Sequence, residues 1–271
     1  MAPTEPPDEV QAPLLDGYAV LVTRPAGQAG PLLQAIARRG GKAIAAPMII
    51  IQPRTDDPTT LALLDRVAEF DSVVFISRNA AEVGLHLLGA RQRTLGTQRI
   101  FATGTGTGAS LKKLGVGNVV SPPGEFSSEG LLKLPGLSAR DASGQRVLIV
   151  RGEGGRELLG QTLQQRGALV EYCEVYTRSP PVVPLQDILR QHGVQAPDIA
   201  LVTSAEALEN LAAQIEREGL LALFDMPLVV AGERMAGAVA GLGFTQSPVV
   251  VESPGDGNML AALEEWVLDG R

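Results

Sequence analysis

Cysteine, histidine and aromatic residues are scarce in this chain of 271 residues. The single cysteine, Cys173, excludes an intrachain disulfide and a cluster of cysteine ligands, and its apolar context predicts an inert core thiol. The two histidines, His86 and His192, lack the spacing of metal ligands, so we expect no metal. Only 4% of residues are aromatic, so the core must be built from Val, Leu, Ile and Ala, which suits buried parallel strands.

The chain also lacks a long apolar run and an excess of positive charge. No stretch approaches the roughly 18 apolar residues that a membrane-spanning helix needs. Residues 1–17 lack the basic-then-apolar order of a secretion signal, so we expect a loose leader and a cytoplasmic protein. A formal net charge of −7 argues against nucleic-acid binding, although clustered arginines and backbone N–H groups can still bind a small anion.

Three strand-like runs near the start of the chain recur in the same order near its end. The first residues of the paired runs lie 127 or 128 positions apart: Val20 and Val147, Asp71 and Asp198, Ile100 and Leu228. Each run is apolar, ends in small, hydroxyl or arginine residues, and precedes a helix-like pattern. The repeat predicts two homologous α/β halves, each a doubly wound parallel sheet whose ligands lie beyond the carboxyl ends of the strands.

Two proline-flanked strands, at residues 47–53 and 170–178, occupy matching places in the repeat. Each follows the first strand–helix unit of its half, and proline is rare in central strands. If both are linkers, the chain leaves one domain, builds the other and returns. We therefore predict a discontinuous domain 1 over 18–46 and 179–271, and a domain 2 over 54–169.

Polar and basic residues are concentrated where the predicted strands end. The candidates for binding an anion are Arg24, Ser77, Arg78, Asn79, Thr105, Arg151, Gly152, Arg156, Thr203, Ser204 and Arg234. Helix N-termini after these strands offer unpaired N–H groups, and arginine pairs with carboxylates through two parallel hydrogen bonds. The alternative is that the hydroxyls cap helices and the arginines are solvated. Two glutamates in the same loops, Glu153 and Glu233, oppose an anion site.

Six motifs, taken in order, resemble the uroporphyrinogen-III synthase family. They are V-T-R-P from Val22, F-I-S-R-N-A from Phe75, A-T-G-T-G-T-G-A-S-L from Ala102, V-R-G-E-G-G-R-E-L-L from Val150, V-Y-T-R-S-P-P from Val175 and D-x-A-L-V-T-S-A-E-A-L from Asp198. Each motif alone is weak because it is only a polar strand end. Their order and spacing carry the resemblance, which extends from about Tyr18 to Trp266.

The resemblance implies two flavodoxin-like domains joined by a two-stranded β-ladder, with the site in the cleft between them. It also implies a cofactor-free lyase of haem and tetrapyrrole biosynthesis. The substrate of this family is hydroxymethylbilane, an open tetrapyrrole with eight carboxylates. The enzyme closes the ring with inversion of the last pyrrole and loss of water. A monomer is expected, and the substrate could be handed over by hydroxymethylbilane synthase.

Two catalytic residues follow from the resemblance. Tyr176 matches the family tyrosine at the end of the second linker strand, where it would assist departure of the hydroxymethyl oxygen as water. Thr107 matches a family threonine, whereas the corresponding residue of the second half is Met235, which has no hydroxyl. Arg234, beside Met235, is the residue that could replace this contact.

Two other classes of function remain open at this stage. A two-lobed protein could bind an anionic ligand without converting it. The methionine at residue 235, where the family has a threonine, favours that interpretation. A nucleotide- or NAD-dependent enzyme is the weaker alternative. The glycine-rich loop Arg151–Arg156 lacks the Gly-Lys-Ser/Thr of a phosphate loop, and Thr103–Gly108 does not follow the first strand of a dinucleotide fold.

Overall fold

The structure, a computed structural model, describes residues 13–124 and 127–270 and divides into two compact units. Unit 2 is the continuous segment Ile51–Arg178, and unit 1 comprises the described residues on either side of it. The chain therefore crosses between the units twice, after Ile50 and after Arg178. Both crossings fall at the proline-flanked segments predicted as linkers.

Within the described residues the sheets contain eleven strands and the chain forms ten α-helices. The strands are β1 Ala19–Val22, β2 Lys42–Ala45, β3 Ile50–Pro53, β4 Ser72–Phe75, β5 Arg99–Ala102, β6 Val119–Val120, β7 Arg146–Gly152, β8 Leu169–Ser179, β9 Ile199–Val202, β10 Leu228–Ala231 and β11 Val249–Val251. The helices are α1 Ala26–Arg38, α2 Pro58–Asp65, α3 Arg78–Ala90, α4 Thr105–Lys113, α5 Ser128–Leu132, α6 Leu158–Gln165, α7 Leu185–Gln191, α8 Ala205–Glu218, α9 Glu233–Val239 and α10 Asp256–Leu268. None of these helices has both the length and the apolar character that crossing a membrane requires.

Unit 1 contains a five-stranded sheet in the order β11-β10-β9-β1-β2, with every neighbouring pair parallel. All four residues of β1 and of β9 are buried, as expected for central parallel strands. Helices α1 and α10 pack on one face, where Leu32, Leu263 and Trp266 join the core. Trp266 is buried beneath the edge of Tyr18, with ring centroids 5.8 Å apart.

The prediction that residues 1–17 form a loose leader is wrong for residues 13–17. Leu15 is fully buried in the core of unit 1, and its backbone N–H donates to the carbonyl oxygen of Arg39 at 2.9 Å. The Leu15 side chain joins the core cluster that contains Val20 of β1 and Leu32 of α1. Pro13–Gly17 therefore belongs to the packed unit, and the first twelve residues of the predicted leader lie outside the described ranges.

Unit 2 contains a six-stranded sheet in the order β3-β8-β7-β4-β5-β6. The β8–β7, β7–β4, β4–β5 and β5–β6 pairs are parallel. Under the repeat, β7, β8, β4, β5 and β6 correspond to β1, β2, β9, β10 and β11, so both sheets have the same strand order, with β3 added at one edge of the second. The two halves predicted from the sequence thus repeat in their topology as well.

Two elements differ from the sequence-based expectations. The segment predicted as a linker strand at 170–178 lies within β8, which pairs with β7 from Leu169 to Tyr176 and forms part of the unit 2 sheet. Helix α7 begins directly after Pro184, in a proline-rich segment that suggests only a linker. Proline is compatible with a helix start, because its fixed φ suits the first turn and the missing N–H would have no partner there.

Candidate functional site

A cavity of about 420 Å³ lies in unit 2 beyond the carboxyl ends of β4, β5 and β7. This is the edge of a parallel sheet at which ligands are expected to bind. Its lining is rich in hydroxyl, arginine and glycine residues: Ser77, Thr103, Ser127, Ser128, Arg151, Gly152, Gly154, Gly155, Arg156, Tyr172, Tyr176 and Arg178, with Ile76, Ile149 and Leu159. Five of the residues predicted from the sequence therefore meet at one site: Ser77, Arg151, Gly152, Arg156 and Tyr176.

The hydroxyl groups of Tyr176 and Ser77 are in hydrogen-bond contact, 3.1 Å apart. Ser77 is the N-cap of α3, and its side-chain oxygen accepts a hydrogen bond from the backbone N–H of Ala80 at 3.0 Å. The Tyr176 ring is buried against the unit 2 core, with only 4% of the residue exposed. The Tyr176 hydroxyl is consequently fixed beside the positive end of a helix, at the wall of the cavity.

Tyr176 reaches this position because the β7–β8 register shifts between Arg151 and Gly152. Arg151 pairs with Glu174, and the next residue, Gly152, pairs with Tyr176. A Cβ atom on Gly152 would lie 2.5 Å from the Tyr176 ring, closer than such atoms approach in real proteins. A glycine at 152 is therefore required for the tyrosine ring to pack against the backbone of β7.

Arg151 lies one residue before the end of β7 and is buried, with 6% of the residue exposed. Its guanidinium carbon lies 4.1 Å from the centroid of the Tyr172 ring, a cation–π contact. Its Nε and Nη2 atoms both donate to Oε1 of Glu174, at 3.1 and 2.9 Å. Burial raises the pKa of Tyr172 against the opposing influence of Arg151, so this phenol stays neutral.

The loop after Arg151 turns through two glycines with positive φ, Gly154 at 69° and Gly155 at 99°. The backbone N–H of Gly154 donates to the same Glu174 oxygen at 3.2 Å. Arg156 follows on the exposed end of this loop and lines the cavity. Glu153, whose negative charge was expected to disfavour an anion here, is exposed and does not line the cavity.

Four other predicted residues of unit 2 lie on the first turns of α3 and α4, away from the cavity lining. Arg78 is half-buried and packs over Gly106, where an added Cβ would lie 3.1 Å from its Nη2 atom. Asn79 is half-buried, Thr105 is exposed, and Thr107 is buried with 7% exposed. The position of Thr107 does not support direct contact with a ligand in this cavity.

The predicted residues of unit 1 lie at the ends of β1, β9 and β10. Arg24 is 3% exposed, and its Nη1 and Nη2 atoms donate to the Asp256 carboxylate and to the carbonyl oxygen of Pro254. Both terminal nitrogens thus tie the β1 end to the start of α10, which does not support the predicted substrate contact. Ser204 caps α8 by accepting from Ala207 N–H at 3.2 Å.

The remaining unit 1 positions divide between surface and core. Thr203 is half-buried, and Arg234 is exposed at the start of α9. Met235 is 6% exposed, so it points into the core as Thr107 does at the corresponding position of α4. The methionine side chain therefore packs in the core. The exposed Arg234 side chain does not occupy the position of a hydroxyl at residue 235.

Sequence reasoning missed several residues at the cavity, among them Thr103, Tyr172 and Arg178, which line it, and Glu174, which holds Arg151. A signal for two of them was present. Glu174 and Tyr172 carry polar groups within a strand-like run that was interpreted as a linker, and in the structure this run pairs with the strand bearing Arg151. Within residues 13–124 and 127–270, no group of three or more His, Cys, Asp or Glu side chains is arranged to hold a metal ion.

Fold and cavity together define a class: a protein of two α/β units with parallel sheets, carrying an arginine- and hydroxyl-lined cavity at the strand ends. The family model described as uroporphyrinogen-III synthase HemD matches residues 31–261, and the chain belongs to this family. The resemblance found in the ordered motifs is thereby confirmed.

Relatives and solved structures agree with this assignment. The chain is 32% identical over 251 residues to a uroporphyrinogen-III synthase of Salmonella typhimurium and 31% identical over 252 residues to that of Escherichia coli, in each case spanning 91% of this chain and all of the relative. A crystal structure of a mutant uroporphyrinogen III synthase from the extremely thermophilic bacterium Thermus thermophilus superposes with a TM-score of 0.57 at 17% identity, covering 94% of this chain and all of the other. One from Helicobacter pylori gives 0.52 at 16% identity, with coverage of 94% and 100%. These structures share the α/β fold with parallel sheets.

Proposed function

We propose that this protein is a uroporphyrinogen-III synthase, which converts hydroxymethylbilane to uroporphyrinogen III with inversion of the last pyrrole and loss of water. The observation that carries the proposal for this chain is the unit 2 cavity, where Arg151 and Arg156 accompany the Ser77–Tyr176 hydroxyl pair. The sequence relatives support the same activity. A ligand-binding protein without turnover has no comparable support.

The substrate's carboxylates would be bound by donors around the cavity. Arg156 is exposed on a loop whose glycines leave the backbone open to a close approach. Arginine pairs with a carboxylate through two hydrogen bonds, and the first turn of α3 adds a favourable dipole. On this basis the proposed substrate-binding set in unit 2 is Ser77, Arg151, Gly152 and Arg156.

Tyr176 is the proposed proton donor. The hydroxymethyl C–O bond breaks as the pyrrole nitrogen lone pair moves into the ring, and the departing oxygen must receive a proton to leave as water. Ser77 accepts from Ala80 N–H and can donate its own proton to the Tyr176 oxygen, which directs the tyrosine proton toward the cavity. Because a phenol is a weak acid near neutral pH, it gives up this proton through a strong hydrogen bond only as the C–O bond breaks, and it regains the proton that the last ring releases when the macrocycle closes.

Ring closure itself needs the bilane to be folded so that the electrophilic carbon meets the substituted carbon of the last ring. Restricting a flexible chain in this way is an orientational effect, and it needs several fixed contacts. Arg78, Asn79 and Thr105 of unit 2, and Thr203, Ser204 and Arg234 of unit 1, remain proposals for such contacts. Thr107 is left out because its side chain is buried away from the cavity. Arg24 is left out because Asp256 and Pro254 engage it.

Finer features of the molecule belong to the same proposal. Each unit is proposed to be flavodoxin-like, since the strand orders of both sheets contain the 2-1-3-4-5 pattern of that fold. We also propose that the protein works as a cytoplasmic monomer and receives hydroxymethylbilane from hydroxymethylbilane synthase.

A coupled assay tests the function. Hydroxymethylbilane is generated in situ by its synthase, this protein is added, and the products are oxidised and separated by chromatography. We expect predominantly the type III isomer of uroporphyrin. Type I alone, as in the protein-free control, with the protein shown to be folded, would refute the proposal.

A further inference from the structure

Glu174 lies at the centre of a hydrogen-bonded network behind the cavity. One carboxylate oxygen, Oε1, accepts from Arg151 Nε and Nη2 and from Gly154 N, at 3.1, 2.9 and 3.2 Å. The other, Oε2, accepts from Arg54 Nη1 at 3.3 Å. Only about a quarter of the Glu174 side chain is exposed, so these contacts are partly shielded from water.

Glu174 is itself held in place from two sides. The Thr60 hydroxyl donates to its backbone carbonyl oxygen at 2.9 Å, and Arg54, its ion-pair partner, contacts Asp57 at 2.7 Å. Asp57 caps α2 by accepting from Thr60 N–H at 2.7 Å, and this hydrogen bond holds the Asp57 pKa below its usual value. The carboxylate that meets Arg151 is thus anchored to a helix and to a strand.

This network leaves one edge of Arg151 unused. Nε and Nη2 bind Glu174, and the Tyr172 ring covers one face of the guanidinium. Nη1 is buried and has no hydrogen-bond partner among the described residues, although Arg151 lines the cavity. A buried donor without a partner is costly, so this edge is suited to receive an acceptor from a ligand.

We propose that Glu174 is a positioning residue: it orients Arg151 so that Arg151 Nη1 receives one carboxylate of the substrate. The inference rests on the proposed function and adds to it a residue that does not line the cavity. Glu174 acts through Arg151, and its negative charge is neutralised by Arg151 and Arg54, so it does not repel the anionic substrate.

The test compares Glu174→Ala with Glu171→Ala. Glu171 lies three residues earlier on the same strand and also pairs with two arginines, Arg66 and Arg146, but it does not line the cavity or contact Arg151. We expect Glu174→Ala to raise KM for hydroxymethylbilane about tenfold with kcat within about twofold, since a correctly placed charged hydrogen bond is worth roughly that factor. Glu171→Ala should leave both constants near those of the unaltered protein.

Two further variants separate positioning from general structural damage. Glu174→Gln retains an acceptor oxygen for Arg151, so it should recover part of the lost affinity. In an Arg151→Ala background, Glu174→Ala should produce no additional rise in KM, because its effect passes through Arg151. Additive effects of the two substitutions, or equal KM values for Glu174→Ala and Glu171→Ala, would overturn the inference.

A binding measurement distinguishes failure of the proposed function from failure of the positioning role of Glu174. The fluorescence anisotropy of uroporphyrin III reports how much of it is bound to the protein. If the unaltered protein forms the type III isomer but Glu174→Ala binds uroporphyrin III and turns over substrate as Glu171→Ala does, the positioning role fails and the function stands. If the unaltered protein neither forms the type III isomer nor binds the porphyrin, the proposed function fails first.

Discussion

The Tyr176 hydroxyl lies 3.1 Å from the Ser77 side-chain oxygen, and that oxygen also accepts the backbone N–H of Ala80. A residue at the end of β8 is thereby joined to the first turn of α3. Helix capping and orientation of the tyrosine use the same serine, so the local fold and the proposed proton donor depend on each other.

Replacing Tyr176 by Phe should lower kcat with little loss of stability. The ring still packs against Gly152, but the proton donor is removed, and general acids typically contribute on the order of 10²-fold or more. Loss of one hydrogen bond should cost about 1 kcal/mol in the free energy of unfolding, measured by urea denaturation. Tyr18→Phe, in unit 1 against Trp266, is the matched control. Unchanged kcat in Tyr176→Phe would remove this residue from the mechanism.

A methyl group at residue 152 should damage the site through Tyr176. The Cβ atom of Gly152→Ala would lie 2.5 Å from the Tyr176 ring, which must then move. We expect a loss of about 1–3 kcal/mol in the free energy of unfolding, as for other overpacked sites, together with a fall in kcat. Gly117→Ala is the control, since no atom lies within 4 Å of an added Cβ there. Equal kcat values in the two variants would show that the tyrosine position is not critical.

Replacing Arg24 by Ala should affect stability more than catalysis. The substitution removes a buried guanidinium and leaves the Asp256 carboxylate and Pro254 carbonyl without their donor, at a cost of about 2–4 kcal/mol. Arg234→Ala removes an exposed arginine and should change stability by no more than about 0.5 kcal/mol. Thermal denaturation and KM are measured for both. A large rise in KM with unaltered stability in Arg24→Ala would restore the substrate contact predicted from the sequence.

The Cys173 thiol should be unreactive in the folded protein. It is fully buried, and burial raises its pKa to about 12, so the nucleophilic thiolate is not formed at neutral pH. The unfolded chain loses this proton above about pH 8.5, whereas the folded chain keeps it, so this group makes stability fall as pH rises from there toward 12. Labelling with a thiol reagent at pH 8 should require denaturant, whereas rapid labelling of native protein would contradict this assignment.

The fold was predictable to a large extent because its strongest signals are local and repeated. Buried runs such as those at Val20 and Val147 specify parallel strands, and their matched spacing specifies two halves with the same strand order. Elements with weak local signals were less predictable. Strand β2 has only one buried residue, Ile44, and α7 begins in a proline-rich segment, so neither stands out in the sequence.

The candidate site was predictable in type and less so in membership. Polar strand ends predicted a site at the carboxyl edge of the sheet, and Ser77, Arg151, Arg156 and Tyr176 meet at one cavity there. The sequence could not indicate that Thr107 would be buried away from that cavity. Side-chain direction within the first turn of a helix depends on how that helix packs, which local sequence does not specify.

By itself, the sequence determined the repeat, the α/β class, the polar strand ends and the family. Tertiary structure alone decided the partners of Arg24 and Arg151, which occupy equivalent positions of the repeat and look alike in the sequence. Arg24 meets Asp256, from the far end of the chain, whereas Arg151 meets Glu174 on the neighbouring strand and keeps one buried nitrogen without a hydrogen-bond partner among the described residues. The physical reason is that a buried guanidinium takes its partners from whichever elements the fold brings beside it, and those elements are distant in sequence.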